Sequence, residues 1–119
     1  MPPAQLQLDE RIGTAVAAWV QDKGYVKSLV TLEEIAQDVG VPSDQLSAHI
    51  RLHERCHVLA WRKRLRIAEA MDLLLAYPGL PVSLVGEMVG IADKSNFKRQ
   101  FADLAGMSPR EWRERHRLD

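Results

Sequence analysis

One segment of this chain occurs twice. Ile35-Ala36-x-x-Val39-Gly40-Val41 returns 50 positions later as Val85-Gly86-x-x-Val89-Gly90-Ile91. Leu46 and Ile50 return 51 positions later as Phe97 and Phe101, so the second turn is one residue longer. Trp61 and Trp112 each stand eleven residues beyond Ile50 and Phe101. Self-similarity of this kind means that one supersecondary unit is used twice. The unit reads as a short helix, a glycine-bearing turn and a second amphipathic helix, which is the helix-turn-helix pattern. Glycine suits a turn that needs positive φ. The small residue at Ala36 and Gly86 lets the two helices approach closely.

Around this repeat the apolar spacing is helical almost throughout, and strand signals are nearly absent. Ile12, Val16, Trp19 and Val20 mark a first helix that Asp9 could cap, which leaves residues 1–8 as a flexible N-terminal segment. Thr31 with Glu34 is a capping box, and Gly40 stops the helix it opens. The longest periodic stretch runs from Val58 to Ala76, with an apolar arc wide enough for burial on two sides. Pro78-Gly79-Leu80-Pro81 then breaks the chain. Ser108-Pro109-x-Glu111 opens a last helix, expected over 109–117. The expected fold is all-α with about seven helices over residues 9–119. Helix-turn-helix motifs fall at about 31–54 and 82–105, joined by a long central helix at about 58–76.

Charge and composition narrow the function. The 119 residues are 46% hydrophobic and 27% charged, with 16 bases against 16 acids, a globular balance. The longest apolar runs, Ala15 to Val20 and Leu73 to Tyr77, fall far short of the ~20 residues of a membrane span. No basic stretch followed by an apolar core opens the chain, so no secretory signal is expected. The single cysteine, Cys56, cannot form an internal disulfide, which fits a cytoplasmic protein. A chain this short has little room for a deep catalytic cleft. No spacing of Ser, His and Asp pairs a nucleophile with a base. Neither an enzyme nor a cofactor is expected. The charge is polarised, however: residues 1–40 are net minus three and residues 41–119 net plus three, with six bases and one acid from Arg51 to Arg66. That distribution suits a surface that meets an anion.

Three runs carry a family resemblance. They are Leu65-Arg66-Ile67-x-x-Ala70-x-x-Leu73-Leu74, then Val89-Gly90-Ile91-x-Asp93-x-Ser95-Asn96-Phe97-x-Arg99-Gln100-Phe101, and Gly106-x-Ser108-Pro109-x-x-Trp112-Arg113. Through them the sequence resembles the C-terminal DNA-binding domain of the AraC/XylS family of transcription regulators, over about residues 10–115. The resemblance implies duplex DNA as partner and regulation of transcription, with one recognition helix per motif in successive major grooves. The second recognition helix would present Lys94, Ser95, Asn96, Lys98 and Arg99, with Phe97 and Phe101 turned to the core. Arg99 suits guanine O6/N7 and Asn96 adenine N6/N7. The first, from Pro42 to His53, would present Ser43, Gln45, Ser47, His49 and Arg51, along with Asp44 and Ala48. Here the sequence departs from the family: Ala48 replaces a long polar residue, Asp44 has the wrong sign for phosphate, and Arg55 stands in place of a glycine. The family also implies RNA polymerase and a separate effector or dimerisation domain as partners. No such domain fits in this length, so the chain is either a stand-alone binding domain or part of a longer one.

Two other readings compete. A degenerate helix-turn-helix module could act through a protein partner, for which overall neutrality, Asp44 and Ala48 speak; Lys94, Lys98 and Arg99 speak against it. His49, His53 and His57 fall at i, i+4 and i+8 beside Cys56, and imidazoles one turn apart can hold zinc. The sequence places no third ligand for them, so no metal site is assigned. Trp19, Trp61 and Trp112 lie on apolar stripes and are expected in the core. Arg62-Lys63-Arg64-x-Arg66 would either grip phosphate or solvate one side of the central helix.

Overall fold

Side-chain caps open three of the helices among the described residues, at Thr31, Asp93 and Ser108. The structure, a computed structural model, describes residues 1–117. Among the described residues there are seven α-helices, one 3-10 turn and no strand: α1 (Pro3–Gln21), the turn Gly24–Val26, α2 (Leu32–Val39), α3 (Ser43–Glu54), α4 (Val58–Ala76), α5 (Val82–Met88), α6 (Lys94–Ala105) and α7 (Pro109–His116). None of these helices is long and apolar enough to cross a membrane. The chain divides into two compact units, Met1–Arg62 and Lys63–Asp119, with the division inside α4.

In the first unit the Thr31 hydroxyl accepts from Glu34 N at 3.1 Å, and the Glu34 carboxylate accepts from Val30 N at 2.7 Å. The capping box therefore closes, with its glutamate reaching one residue further back than the usual cap amide. Gly40, at φ 93°, ends α2 and donates to Ala36 O at 2.8 Å. One boundary differs from the sequence reading. Helix α1 begins at Pro3, so residues 3–8, expected as a flexible segment, form its first turns. Proline pre-sets φ for the first helical position, and Ala4, Gln5, Leu6 and Gln7 are good helix formers. Asp9 is consequently in the body of α1 and does not cap it.

The core of this unit gathers Ile12, Trp19, Tyr25, Ile35, Ala36, Leu46, Ile50, Val58 and Trp61, all buried. Trp19 stacks on Trp61 at 5.5 Å between ring centroids and meets Tyr25 edge-on at 6.4 Å. Its indole N–H donates to Asp38 at 2.7 Å, satisfying the one polar atom of a buried ring. Lys27 donates to both oxygens of the same carboxylate at 3.0 Å. These two donors, Lys27 first, hold the Asp38 carboxyl below the usual carboxylate range. Arg62, from the basic run at the start of α4, donates to Leu29 O and is only partly exposed, so it braces the unit's own backbone.

Helix α3 ends on Arg55 at φ 59°, a left-handed conformation that glycine adopts without cost. A side chain there stores roughly 1–2 kcal/mol of steric strain. Glycine would relieve it, less about 0.5–1 kcal/mol of added unfolded-state entropy. Arg55→Gly should therefore stabilise the chain by roughly 0.5–1 kcal/mol, read as a higher urea midpoint with unchanged slope.

The second unit repeats the logic with different caps. Gly90 at φ 91° lets Ile91 N donate back to Gly86 O at 2.8 Å. A Cβ on Gly86 would lie 2.8 Å from Phe97 Cγ and 3.0 Å from Ile91 O, so the absent side chain sets the α5–α6 approach. Asp93 caps α6 by accepting from Asn96 N at 2.7 Å. Gly106 at φ 77° ends that helix, and Ser108 caps α7 by accepting from Glu111 N at 3.1 Å. The core holds Ile67, Ala70, Leu74, Val85, Val89, Ile91, Phe97, Phe101 and Trp112. Phe101 meets Phe97 and Trp112 edge-on at 5.9 and 6.0 Å. The three tryptophans expected in the core are all buried.

Candidate nucleic-acid interface

Helix α6 is two-sided because its apolar residues are one turn apart. Phe97 and Phe101 are fully buried, which turns Lys94, Ser95, Lys98 and Arg99 outward as exposed side chains. Asn96 is half-buried, and its Oδ1 accepts from Arg99 Nη2 at 2.6 Å and from Gln100 Nε2 at 3.1 Å. The guanidinium is thus held along the helix face. Asn96 spends its carbonyl inside the protein, so an adenine fork from Asn96 requires these two bonds to open.

Beside α6 lies a cleft of about 830 Å³, lined among others by Leu80, Pro81, Ser83, Lys94, Lys98 and Arg110. Arg110 was not among the residues singled out from the sequence. The signal was present: Arg110, Arg113, Arg115 and Arg117 fall within eight residues, although Glu111 and Glu114 mask them in a charge count. Arg113 is committed elsewhere. Its Nε donates to Leu74 O at 3.0 Å, and its Nη2 to Leu80 O at 2.8 Å and Tyr77 O at 3.3 Å. It therefore fixes the end of α4 and the Pro78–Leu80 turn onto α7. The second unit carries ten bases and eight acids, a net of plus two.

Helix α3, the corresponding element of the first unit, is less suited to an anion. Arg51, Asp44 and Ala48 are exposed, while Ser43, Gln45 and Ser47 are half-buried. His49 departs from the sequence reading, which had it facing outward. Its side chain is 9% exposed and its Nδ1 is bonded to Asp9 at 2.7 Å, against α1. No local cue marks this pairing, because Asp9 lies 40 residues away. His53 Nε2 bonds the other oxygen of Asp9 at 2.7 Å. These two rings, His53 first, hold the Asp9 carboxyl below its usual range against the opposing effect of burial. His57 is not part of the group: its Nδ1 accepts from Leu59 N at 3.1 Å at the start of α4.

A family profile described as a helix-turn-helix domain matches residues 35–115. The chain belongs to the AraC-type helix-turn-helix family. It is 37% identical over 82 residues to the arabinose operon regulatory protein of Salmonella typhimurium, covering 69% of this chain and 29% of that protein. The chain thus spans under a third of the length of the curated relatives it matches. Among solved structures it resembles an AraC-type transcriptional regulator from Chromobacterium violaceum, with TM-score 0.73 and 20% identity over 94% of this chain and 95% of that one. It also resembles the DNA-binding domain of the global transcriptional factor AdpA, solved with a target DNA, with TM-score 0.73 and 18% identity over 88% and 91% of the two chains. Both of these likenesses are of fold. Within the AraC-type pattern Arg113 closes the matched C-terminal run, and its three carbonyl bonds give it a structural role here.

Proposed function

We propose that this chain binds duplex DNA sequence-specifically and regulates transcription, with α6 as its principal reading element. The observation that carries this reading is the outward face of α6, where Lys94, Ser95, Lys98 and Arg99 stand opposite the buried phenylalanines. Such a face fits the major groove, with Arg99 as the donor for a guanine edge and the lysines for phosphate or bases. Arg110, at the rim of the adjoining cleft, extends the basic surface toward the backbone of the same duplex. Helix α3 enters a second groove through Ser43, Gln45, Ser47 and Arg51, as the family resemblance implies, and reads less. RNA polymerase and an effector or dimerisation domain are the further partners that resemblance implies.

The test is selection of bound sites from a random DNA pool, followed by affinities at one fixed salt concentration. Arg99→Ala should cost about 1–3 kcal/mol and relax preference at one or two adjacent base pairs. An equal loss for every sequence would reassign Arg99 to phosphate. An unchanged site and affinity in a folded variant would refute the placement of α6 in the groove. A wild-type chain that binds no duplex even at low salt would favour the protein-partner reading, which the acidic Asp44 on α3 supports.

A further inference from the structure

The histidine pair that the sequence left without a third ligand acquires one in the tertiary structure. His49 and His53 lie one turn apart on α3, and Asp9 reaches them from α1. One donor atom from each of the three residues fits within a span of 4.8 Å. The rings are 4.4 Å apart between centroids, each directing a nitrogen at the same carboxylate. Tetrahedral zinc with imidazole and carboxylate ligands at about 2.0–2.2 Å needs its donors roughly 3.3 Å apart. The two nitrogen–oxygen separations of 2.7 Å lie inside that figure and the whole group spans no more than 4.8 Å, so the rings must draw back from the carboxylate to admit an ion.

A second feature of α1 supports the arrangement. Gly13 stands one turn beyond Asp9, and a Cβ there would lie 3.4 Å from His49 Cε1 and 3.8 Å from Nε2. Glycine inside a helix costs about 0.5–1 kcal/mol relative to alanine. Here it leaves the strip of α1 on which the His49 ring lies, with Nδ1 brought against Asp9. The three side chains are graded in exposure, at 9% for His49, 18% for Asp9 and 47% for His53. Two donors are thus held by packing and the third stands at the solvent edge, where a water can complete the coordination.

We propose that Asp9, His49 and His53 form a binding site for a divalent transition ion of the zinc class, clamping α1 to α3 within the first unit. The ion takes the place of the imidazole N–H groups now shared with the carboxylate. Each ring binds as the neutral imidazole: the proton displaced from the ligating nitrogen passes to solvent, and the N–H is carried on the far nitrogen, Nε2 of His49 and Nδ1 of His53. Two imidazoles with one carboxylate suit zinc better than magnesium or calcium, which prefer all-oxygen sets. Ile50 occupies the position where metalloproteases of the His-Glu-x-x-His type carry a general base, so the site is a clamp and not a hydrolytic centre.

The experiment titrates the untagged, folded chain with zinc ion alone, and with cobalt(II) as a spectroscopic probe. One ion per chain should bind, cobalt should show the visible bands of a tetrahedral site, and amide exchange in α1 should slow on loading. His53→Ala removes an exposed side chain and should leave the fold intact, as checked by circular dichroism. It should weaken zinc binding at least roughly tenfold, the loss usual even for outer-sphere partners of a metal. Asp9→Asn should do the same. Cys56→Ser should leave the affinity unchanged. Absence of saturable binding by the wild-type chain overturns the proposal, as does binding that survives His53→Ala or is abolished by Cys56→Ser.

Discussion

Replacing Gly24 by alanine will destabilise the first unit by roughly 3 kcal/mol, the upper end of the range for overpacking a tight core. A Cβ at this position would overlap the indole ring of Trp19. The ring has nowhere to go. Trp61 stacks on it, Tyr25 lies edge-on, and Asp38 holds its N–H. Moving the indole would also strand a polar atom, adding the desolvation penalty of an unpaired donor. Hydrogen exchange should show faster opening of α1, the Gly24–Val26 turn and α2, with a lowered urea midpoint for the chain. A fall of less than about 1 kcal/mol would mean that the core yields more readily than interiors of native density do.

Arg113→Ala will cost roughly 2–3 kcal/mol, as expected for losing charge-assisted bonds to partly buried carbonyls. Three backbone oxygens, of Leu74, Tyr77 and Leu80, converge on this one guanidinium. The last carbonyls of a helix have no intrahelical partner, and Leu74 lies in the final turn of α4. Arg113→Lys should recover only part of the loss, because a single ammonium cannot reproduce the planar fork. Equilibrium denaturation of the three chains gives the comparison. Full rescue by lysine would show that charge, not geometry, holds the turn.

Much of the fold was legible because caps and periodicity act over a few residues. Thr31 with Glu34, and Ser108 with Pro109, opened helices where local hydrogen bonds stabilise them. Gly40, Gly90 and Gly106 took the positive φ that only glycine adopts freely. The outward face of α6 was also readable, since burying Phe97 and Phe101 fixes the orientation of every residue between them. The start of α1 was misplaced because Asp9 has the chemistry of a cap, and its actual partners lie on another helix.

The all-α class and the duplicated helix-turn-helix were readable because turn glycines and helical period act over a few residues, and the family rested on the resemblance of the three matched runs. What several key side chains meet was set by the packed fold. It turned His49 inward to Asp9, set Gly24 against Trp19, drew Arg113 to the end of α4 and engaged Asn96 with Arg99 and Gln100. A hydrogen bond is satisfied by whichever group folding brings within about 3 Å, and for His49 and Arg113 that group lies 33 to 40 residues away. Side chains of one type therefore carry different roles according to what faces them: Arg113 holds backbone, and Arg99 faces outward on α6.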